Sequence, residues 1–211
     1  MVAVLFIVAI VAYLLGGVNG AIISSKYIFK KDIRNYGSGN AGLTNFYRIF
    51  GVKGVALVLL IDIGKTVIGI LFGWLMLRIY GFSMVGKLFA GLFLTLGHVF
   101  PVYYGFKGGK GVLCCGIIVL AVDPVVGLIC WIVFAIVALL THYISLGSIA
   151  AAVAFPIGIA AFGGWWLQVL LAIFCSIVLI IMHRHNIIRL ILGKESKFSF
   201  EDKKKGRSEE K

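Results

Sequence analysis

A short stretch rich in glycine and lysine, Phe106–Gly111, interrupts a chain that is otherwise apolar for most of its length. Three glycines and two lysines fall within five residues, immediately before the apolar run that opens at Val112. Backbone amides turned inward at the start of a helix attract an anion, because the amides and the helix dipole both present partial positive charge. The spacing does not match the GxxxxGK[ST] nucleotide loop. The stretch therefore predicts a phosphate site without naming a nucleotide, although Lys107 taken alone could be an ordinary basic loop residue.

A second group of polar residues lies on the short segment from Ser38 to Arg48. It brings together a hydroxyl (Ser38), two amides (Asn40 and Asn45) and a guanidinium (Arg48). Residues 37–40 have the glycine, serine and asparagine content that is typical of a turn. Ser38 could simply cap the helix that follows, and Arg48 could contact a lipid headgroup. Taken together, the four side chains predict a second polar part of the same site.

The third group begins at His183, at the end of the last apolar run. Asn186 and Arg189 follow at intervals of three, so on a helix these side chains share a face. His183 and His185 do not share a face, which argues against a metal ion held by both. A metal would also require carboxylates, and these loops contain few. We therefore expect neither a metal nor a cofactor.

The composition indicates an all-α integral membrane protein. Hydrophobic residues make up 61% of the 211 positions, whereas a soluble domain averages about 45–50% apolar residues. The net charge is +12, and only three of the eight carboxylates precede residue 194. Such a charge could indicate nucleic-acid binding, but the basic residues flank the apolar runs, where anionic lipid headgroups attract them. We expect membrane lipid as a partner and no nucleic acid.

About seven transmembrane helices are predicted, together with a short interfacial helix at residues 41–50. The apolar run 112–141 is too long for one span, since about 20 residues cross a bilayer. Asp123–Pro124 divides this run, because proline lacks an amide donor and the residue before it avoids the helical region. The predicted spans are 2–23, 55–79, 84–104, 112–122, 125–141, 147–162 and 165–182.

The distribution of positive charge orients these spans. Basic residues favour the cytoplasmic side, which predicts the N-terminus outside, the C-terminus in the cytoplasm and all three polar groups at the cytoplasmic face. Residues 1–195 form a single predicted transmembrane domain, and residues 196–211 a charged, solvated tail that we expect to be disordered. The inner segments hold 17 of the 20 lysines and arginines: 24–54, 105–111, 141–147 and 183–211.

Polar residues inside the spans have structural explanations. Asp62 and Lys65, three apart in the second span, can neutralise each other. His98, at the inner half of the third span, is expected to support the site through a hydrogen bond rather than to act as a base. The four cysteines all lie in apolar runs without zinc spacing, so we expect reduced thiols.

The three polar groups resemble, in the same order, the three motifs of the acyl-phosphate:glycerol-3-phosphate acyltransferase family of bacterial membranes. The resemblance covers most of the chain, from Asp32 to Glu195. The segments that carry it are Asp32–Arg34 with Gly37-Ser38-Gly39-Asn40 through Asn45 and Arg48, Gly97-His98-x-Phe100-Pro101 through Phe106–Gly111, and His183-x-x-Asn186-Ile187-x-Arg189 through Gly193-x-Glu195.

This resemblance implies an enzyme that moves a fatty acyl group from acyl-phosphate to the 1-hydroxyl of sn-glycerol 3-phosphate. The products are lysophosphatidic acid and phosphate, in the first acylation step of phospholipid synthesis, and neither acyl-CoA nor acyl carrier protein is used. The implied location is the bacterial cytoplasmic (inner) membrane, which the chain crosses several times, with the active site facing the cytoplasm. Both substrates carry a phosphate, which suits the cationic and glycine-rich segments.

The resemblance also implies the site residues. Catalytic roles fall to Ser38, Arg48, Lys110, His183 and Asn186. The candidate substrate-binding residues are Gly39, Asn40, Gly42, Asn45, His98, Lys107, Gly108, Gly109, Gly111, Ser145, Ser148, Arg189 and Glu195.

Within this set, we expect Arg48, Lys110 and the amides of residues 108–109 to bind phosphate and offset charge on the tetrahedral intermediate. Ser38 and Asn186 would orient the substrates. His183 would be a base or a phosphate ligand, and a substrate phosphate could accept the proton instead.

Two other classes of function compete with an enzyme. A transporter or channel for a phosphorylated anion would use broken helices and charges near the midplane. Against it, the polar groups gather at one predicted face and no inverted repeat is visible. An assembly scaffold would tolerate substitution throughout the glycine-lysine stretch.

Overall fold

The computed structural model describes residues 1–198, and within this part of the chain every regular element is helical. Two short 3-10 turns, Ile33–Asn35 and Val102–Tyr104, lie in loops. The α-helices are α1 (Val2–Gly17), α2 (Gly20–Phe29), α3 (Leu43–Phe50), α4 (Val55–Arg78), α5 (Ser83–Val99), α6 (Val112–Val122), α7 (Pro124–Thr141), α8 (Ile144–Ala161), α9 (Trp166–Met182) and α10 (Arg184–Ile191).

Five segments of the described chain are long and apolar enough to cross a membrane, and a sixth qualifies if α9 and α10 count as one bent span. α6 is apolar but only 11 residues long, shorter than the roughly 17–25 residues of a typical span. The membrane class and the helical fold are confirmed, whereas the count of seven and the orientation of the termini stay predictions. The five qualifying segments are Val2–Phe29, Val55–Arg78, Ser83–Tyr104, Pro124–Thr141 and Ile144–Ala161.

The predicted division of the run 112–141 is confirmed. α6 ends at Val122, and the carboxylate of Asp123 caps α7 by accepting hydrogen bonds from the amides of Val125 (2.9 Å) and Val126 (3.1 Å). On α5, Lys87 Nζ donates to the carbonyl of Ala121 at 2.6 Å. A cation at the C-terminal end of a helix satisfies a free carbonyl and complements the helix dipole. Lys87 therefore satisfies the C-terminal end of α6, and Asp123 satisfies the N-terminal end of α7.

The first span is not the single helix 2–23 that the sequence predicts, because α1 and α2 are separated at Val18–Asn19. Asn19 Oδ1 caps α2 by accepting from the amide of Ile22 at 2.9 Å. Lys65 Nζ donates to the carbonyls of Gly16 (3.0 Å) and Val18 (2.6 Å) at the other side of the break. An unsatisfied backbone group in hydrocarbon costs several kcal/mol, so these side chains allow the break to exist within an apolar span.

Asp62 and Lys65 form a buried ion pair at 2.8 Å, with each side chain less than 5% exposed. Asp62 Oδ1 also accepts from the amide of Gly20 at 3.1 Å. His98 Nδ1 lies 2.9 Å from Lys65 Nζ. The predicted mutual neutralisation and the hydrogen-bonding role of His98 are both observed, and the pair in addition joins α4 to the break in the first span and to α5.

Close glycine contacts bring α1, α4 and α5 together. Gly73 on α4 faces Gly86 on α5, and a methyl group at either position would collide with the other's backbone. A methyl group at Gly97 would likewise collide with the carbonyl of Tyr13 on α1. Small residues let membrane helices approach closely. Helices α6, α7, α8 and α9 each pack against the next, and α6 and α9 also pack against α5. A cavity lies among these helices.

Removing one member of the buried ion pair should destabilise the fold strongly, because the other charge is left without its partner. We expect Asp62→Asn and Lys65→Met each to cost about 3–5 kcal/mol. The double variant should cost less than the sum of the two single changes. The measurement is the free energy of unfolding from denaturant titration in one detergent, with exposed Lys31→Met as the control. A double variant that costs the full sum would mean that the two side chains act independently.

Candidate active site

A cavity of about 620 Å³ opens where the three motif segments meet. Its outer part, here called the mouth, is polar, and its inner part, here called the apolar section, lies among α6, α7, α8 and α9. The polar mouth is lined by Ser38, Asn40, Asn45, Arg48, Lys110, Ser145, Ser148, His183, Asn186, Arg189 and Glu195. The apolar section is lined by Val112, Leu113, Cys115, Gly116, Val119, Cys130, Trp131, Phe134, Ala151, Ala152, Phe155, Cys175, Ser176 and Leu179.

A chain of hydrogen bonds links the second motif to the third across the mouth. Lys110 Nζ donates to Asn186 Oδ1, and Asn186 Nδ2 donates to Glu195 Oε1 at 2.6 Å. Ser145 Oγ donates to the same carboxylate oxygen at 2.7 Å, and Arg189 Nε pairs with Glu195 Oε2 at 2.7 Å. The carboxylate therefore orients one cation, one amide and one hydroxyl at the same time.

The electrostatics of the mouth follow from this arrangement. Burial lowers the pKa of the Lys110 ammonium to about 8, Glu195 opposes that shift, and the nearby Arg189 and Arg48 add to it. Burial raises the pKa of the Glu195 carboxyl, but the hydrogen bonds that it accepts outweigh burial and hold that pKa below its ordinary value. At neutral pH the mouth therefore contains one carboxylate and three cations, an excess of positive charge suited to phosphate.

The first motif is held in place by Asn45, whose side chain is fully used. Its Oδ1 accepts from the amide of Ser38, and its Nδ2 donates to the carbonyls of Tyr36 and Asn40, all at 3.1 Å. Asn45 therefore shapes the loop that presents Ser38. α3 begins at Leu43 after Gly42, so Ser38 does not cap it. Arg48 is exposed toward the cavity and makes no ion pair with any carboxylate in residues 1–198.

The glycine-lysine loop differs from the predicted phosphate cradle. The amides of Gly108 and Gly109 donate to the carbonyls of Val99 and His98, at 3.1 Å each, so neither is available to an anion. Both glycines are needed for space instead: a methyl group at Gly108 would collide with the His98 carbonyl, and one at Gly109 with the His98 ring. Gly111 has φ +80°, which favours glycine. The loop thus folds back onto the end of α5 and presents Lys110.

His183 lies at the junction of α9 and α10, whose axes meet at 58°. It is 2% exposed, and its Nδ1 lies 2.8 Å from the carbonyl oxygen of Leu179. A carbonyl oxygen can only accept, so Nδ1 carries the proton and Nε2 of the neutral ring is an acceptor. This tautomer can receive a hydrogen bond from a hydroxyl group. Asn186 and Arg189 do share a face of α10, as predicted, since both contact Glu195.

Most of the predicted site residues meet in this cavity, and a few do not. Gly39 has a turn conformation outside the lining, and Lys107 is exposed in a separate shallow cleft beside Arg34. Gly108 and Gly109 support the loop from behind, as described above. The predicted residues that line the cavity are Ser38, Asn40, Gly42, Asn45, Arg48, His98, Lys110, Gly111, Ser145, Ser148, His183, Asn186, Arg189 and Glu195.

Sequence reasoning missed two parts of the site. The apolar section carries no motif, and only the alignment of four helices reveals it. Phe198 also lines the cavity, and its amide donates to the carbonyl of His142 at 2.8 Å while its ring lies 6.3 Å from that of Tyr47. Phe198 falls within the predicted tail, and the division between the domain and the tail at residues 195–196 stays a prediction. Residues 199–211, which complete that predicted tail, lie outside the described residues.

Comparison with known proteins agrees with this geometry. The family model described as glycerol-3-phosphate acyltransferase matches residues 6–193. A glycerol-3-phosphate acyltransferase of Finegoldia magna is 43% identical over 92% of this chain and 96% of its own length. One of Thermoanaerobacter pseudethanolicus is 42% identical over 90% of this chain and 93% of its own.

Two solved structures of PlsY, an integral membrane glycerol 3-phosphate acyltransferase, have the same fold. Its glycerol 3-phosphate form matches with a TM-score of 0.82 and 36% identity, covering 92% of this chain and 96% of that one. Its lysophosphatidic acid form matches with a TM-score of 0.80 and 34% identity, covering 92% and 95%. The motifs, the fold and nearly the whole length of the chain agree, and the protein belongs to the glycerol-3-phosphate acyltransferase family.

Proposed function

We propose that this protein transfers a fatty acyl group from acyl-phosphate to the 1-hydroxyl of sn-glycerol 3-phosphate, giving lysophosphatidic acid and phosphate. The observation that carries the proposal is a single cavity that joins a cationic, hydroxyl- and amide-lined mouth to an apolar section. An acyl-phosphate has the same division, with a dianionic head and a hydrocarbon chain. Family membership supports glycerol 3-phosphate as the acceptor, and the mouth offers enough cations for a second phosphate.

Arg48 and Lys110 are assigned to the substrate phosphates. Lys110 is partly buried and bonded to Asn186, whereas Arg48 makes no ion pair within residues 1–198, so both can form charge-assisted hydrogen bonds with a ligand. Such bonds also offset negative charge on the tetrahedral intermediate. Ser38 and Asn186, which both line the mouth, orient the substrates, and the carboxylate of Glu195 fixes Asn186.

The reaction needs one new bond and one broken bond. The 1-hydroxyl oxygen attacks the acyl carbonyl carbon, and the bond from that carbon to the phosphate oxygen then breaks, which releases phosphate. The hydroxyl proton passes to His183 Nε2, which the tautomer leaves as an acceptor, or to an oxygen of a substrate phosphate. A mixed anhydride already contains a good leaving group, so a strong protein base is unnecessary.

The placement in the membrane is part of the same proposal. With seven spans, an outer N-terminus and a cytoplasmic C-terminus, the mouth faces the cytoplasm of a bacterial cell. Glycerol 3-phosphate is a water-soluble anion that would reach the mouth from that side. The excess of basic residues in the predicted inner segments supports this orientation.

The direct test is turnover by the purified protein in detergent micelles. Palmitoyl phosphate and labelled glycerol 3-phosphate should give labelled lysophosphatidic acid, while palmitoyl-CoA should not replace the donor. A transporter would give no product in this assay, because it needs two compartments. Equal rates with palmitoyl-CoA would contradict the proposed donor, and absence of product with both donors would contradict the proposed reaction.

Loss of either phosphate-binding cation should reduce the rate without preventing folding. A hydrogen bond to a charged group contributes about 1.5–3 kcal/mol, which corresponds to a loss of roughly 10- to 150-fold in rate. We expect Lys110→Met and Arg48→Ala each to lose at least this much kcat/KM. The matched control is Lys107→Met, three residues away but outside the cavity. Near-wild-type rates in both variants would remove the roles assigned to these cations.

The reaction should also slow at alkaline pH as Lys110 loses its proton. The ammonium is charged below its pKa of about 8 and neutral above it, so kcat/KM should fall as the pH rises through about 8. Substrate phosphates, with a second pKa near 6, are already dianionic there. Lys110→Arg should keep its charge through this range, because the pKa of arginine exceeds 12. An unchanged alkaline decline in Lys110→Arg would assign that decline to another group.

A further inference from the structure

The apolar section of the cavity has a regular construction. Each of its four helices contributes a stripe of residues spaced by three or four, which places them on one face. On α8 the stripe is Ser148, Ala152 and Phe155, and on α9 it is Leu179 and Cys175 below His183. Ser148 and His183 belong to the polar mouth, so the stripes on α8 and α9 change from polar to apolar residues with distance from the mouth.

The depth of the cavity corresponds to one leaflet of a bilayer. Ser145 at the mouth and Phe155 at the inner end are ten residues apart on α8, which gives about 15 Å at a rise of about 1.5 Å per residue. A bilayer core is about 30 Å thick. A chain anchored by its head at the mouth would therefore reach about the midplane.

The inner end is closed by tight packing one helical turn further on. Each of the four helices has a buried residue three or four positions beyond its last lining residue: Val122 on α6, Val126 on α7, Ile159 on α8 and Leu171 on α9. Each is less than 9% exposed, and all four belong to one buried cluster. A methyl group at Gly158 would collide with the Val126 side chain. The helices that surround the cavity are thus in contact beyond it, and a straight chain cannot extend past Phe155.

The side of the cavity between α6 and α7 is lined by Trp131. Its indole Nε1 donates to the carbonyl of Gly116 at 3.0 Å, and its ring packs edge-on against Phe134 at 6.1 Å. The tryptophan is 39% exposed. It lines the apolar section together with Gly116 and Phe134.

From these observations we infer that the closed inner end sets the maximum length of the acyl chain, with Phe155 as its floor and Ala152 facing the space above it. The inference rests on the proposed function, because it identifies the apolar section as the site of the fatty acyl chain. A chain that fits adds apolar contact with each methylene, whereas a longer chain must bend back or displace packed side chains.

The test compares kcat/KM for decanoyl, lauroyl, myristoyl, palmitoyl, stearoyl and arachidoyl phosphate. In the wild type, kcat/KM should rise with length by up to roughly fourfold per added methylene and then fall beyond a maximum. Phe155→Ala should move that maximum to a longer chain. Ala152→Phe, which fills the space above the floor, should move it to a shorter chain and lower kcat/KM for the longest donors at least tenfold.

Matched controls make comparable changes at exposed positions of α8 and α9, outside the cavity. Val153→Phe adjoins Ala152, and Phe174→Ala removes a ring from α9; these side chains are 48% and 47% exposed and do not line the cavity. Neither change should move the length maximum. If Phe155→Ala does not fold, as judged by gel filtration and thermal unfolding, Ala152→Phe tests the inference alone.

The outcomes separate this inference from the proposed function. If the wild type turns over acyl phosphates but Ala152→Phe and folded Phe155→Ala keep its length profile, the chain lies elsewhere, for example in the lipid beyond Trp131, and the inference is wrong. If the wild type uses no acyl phosphate of any length, the proposed function itself fails. A shift of the maximum in opposite directions by the two changes supports the inference.

Discussion

The buried ion pair of Asp62 and Lys65 is the interaction on which the rest of the structure depends. Two charges inside an apolar bundle are costly unless they are paired and their remaining hydrogen-bonding capacity is used. Here Lys65 Nζ also donates to the carbonyls at the end of α1, and Asp62 Oδ1 accepts from the first amide of α2. The pair therefore satisfies the backbone groups that a broken transmembrane helix exposes, and the break in turn gives both charges their partners.

This arrangement connects the interior of the bundle to both loops that form the mouth. Asn19, at the break, donates to the carbonyl of Ala41 in the first motif at 3.1 Å. His98, beside Lys65, accepts through its backbone carbonyl the amide of Gly109 in the second motif. The two loops are thus held in part by Asn19 and His98, which lie beside the buried ion pair. Rigid support of this kind is what keeps Lys110 in reach of the third motif.

Much of the fold could be predicted from the sequence, and 14 of the 18 predicted site residues line the cavity. Hydrophobicity marked the spans, and Asp123–Pro124 marked the boundary of α6, because both signals are local. The predicted polar residues of the three motifs line one cavity, apart from Lys107, which lies in a separate cleft. The roles of Gly108 and Gly109 were predicted wrongly, since a glycine that admits a neighbour and a glycine that admits an anion look the same in a sequence. The break at Val18–Asn19 was missed because its stabilising partners lie more than 40 residues away.

The sequence by itself determined that this chain is a helical membrane protein, that its polar chemistry is confined to three segments, and that this chemistry suits phosphate. Composition and short spacings are local properties of the chain, so these conclusions can be drawn from the sequence alone. Only the tertiary structure decided which backbone amides were free, which tautomer His183 adopts, and where the apolar section ends. Those properties depend on contacts between helices that are distant in the chain, and no local pattern encodes them.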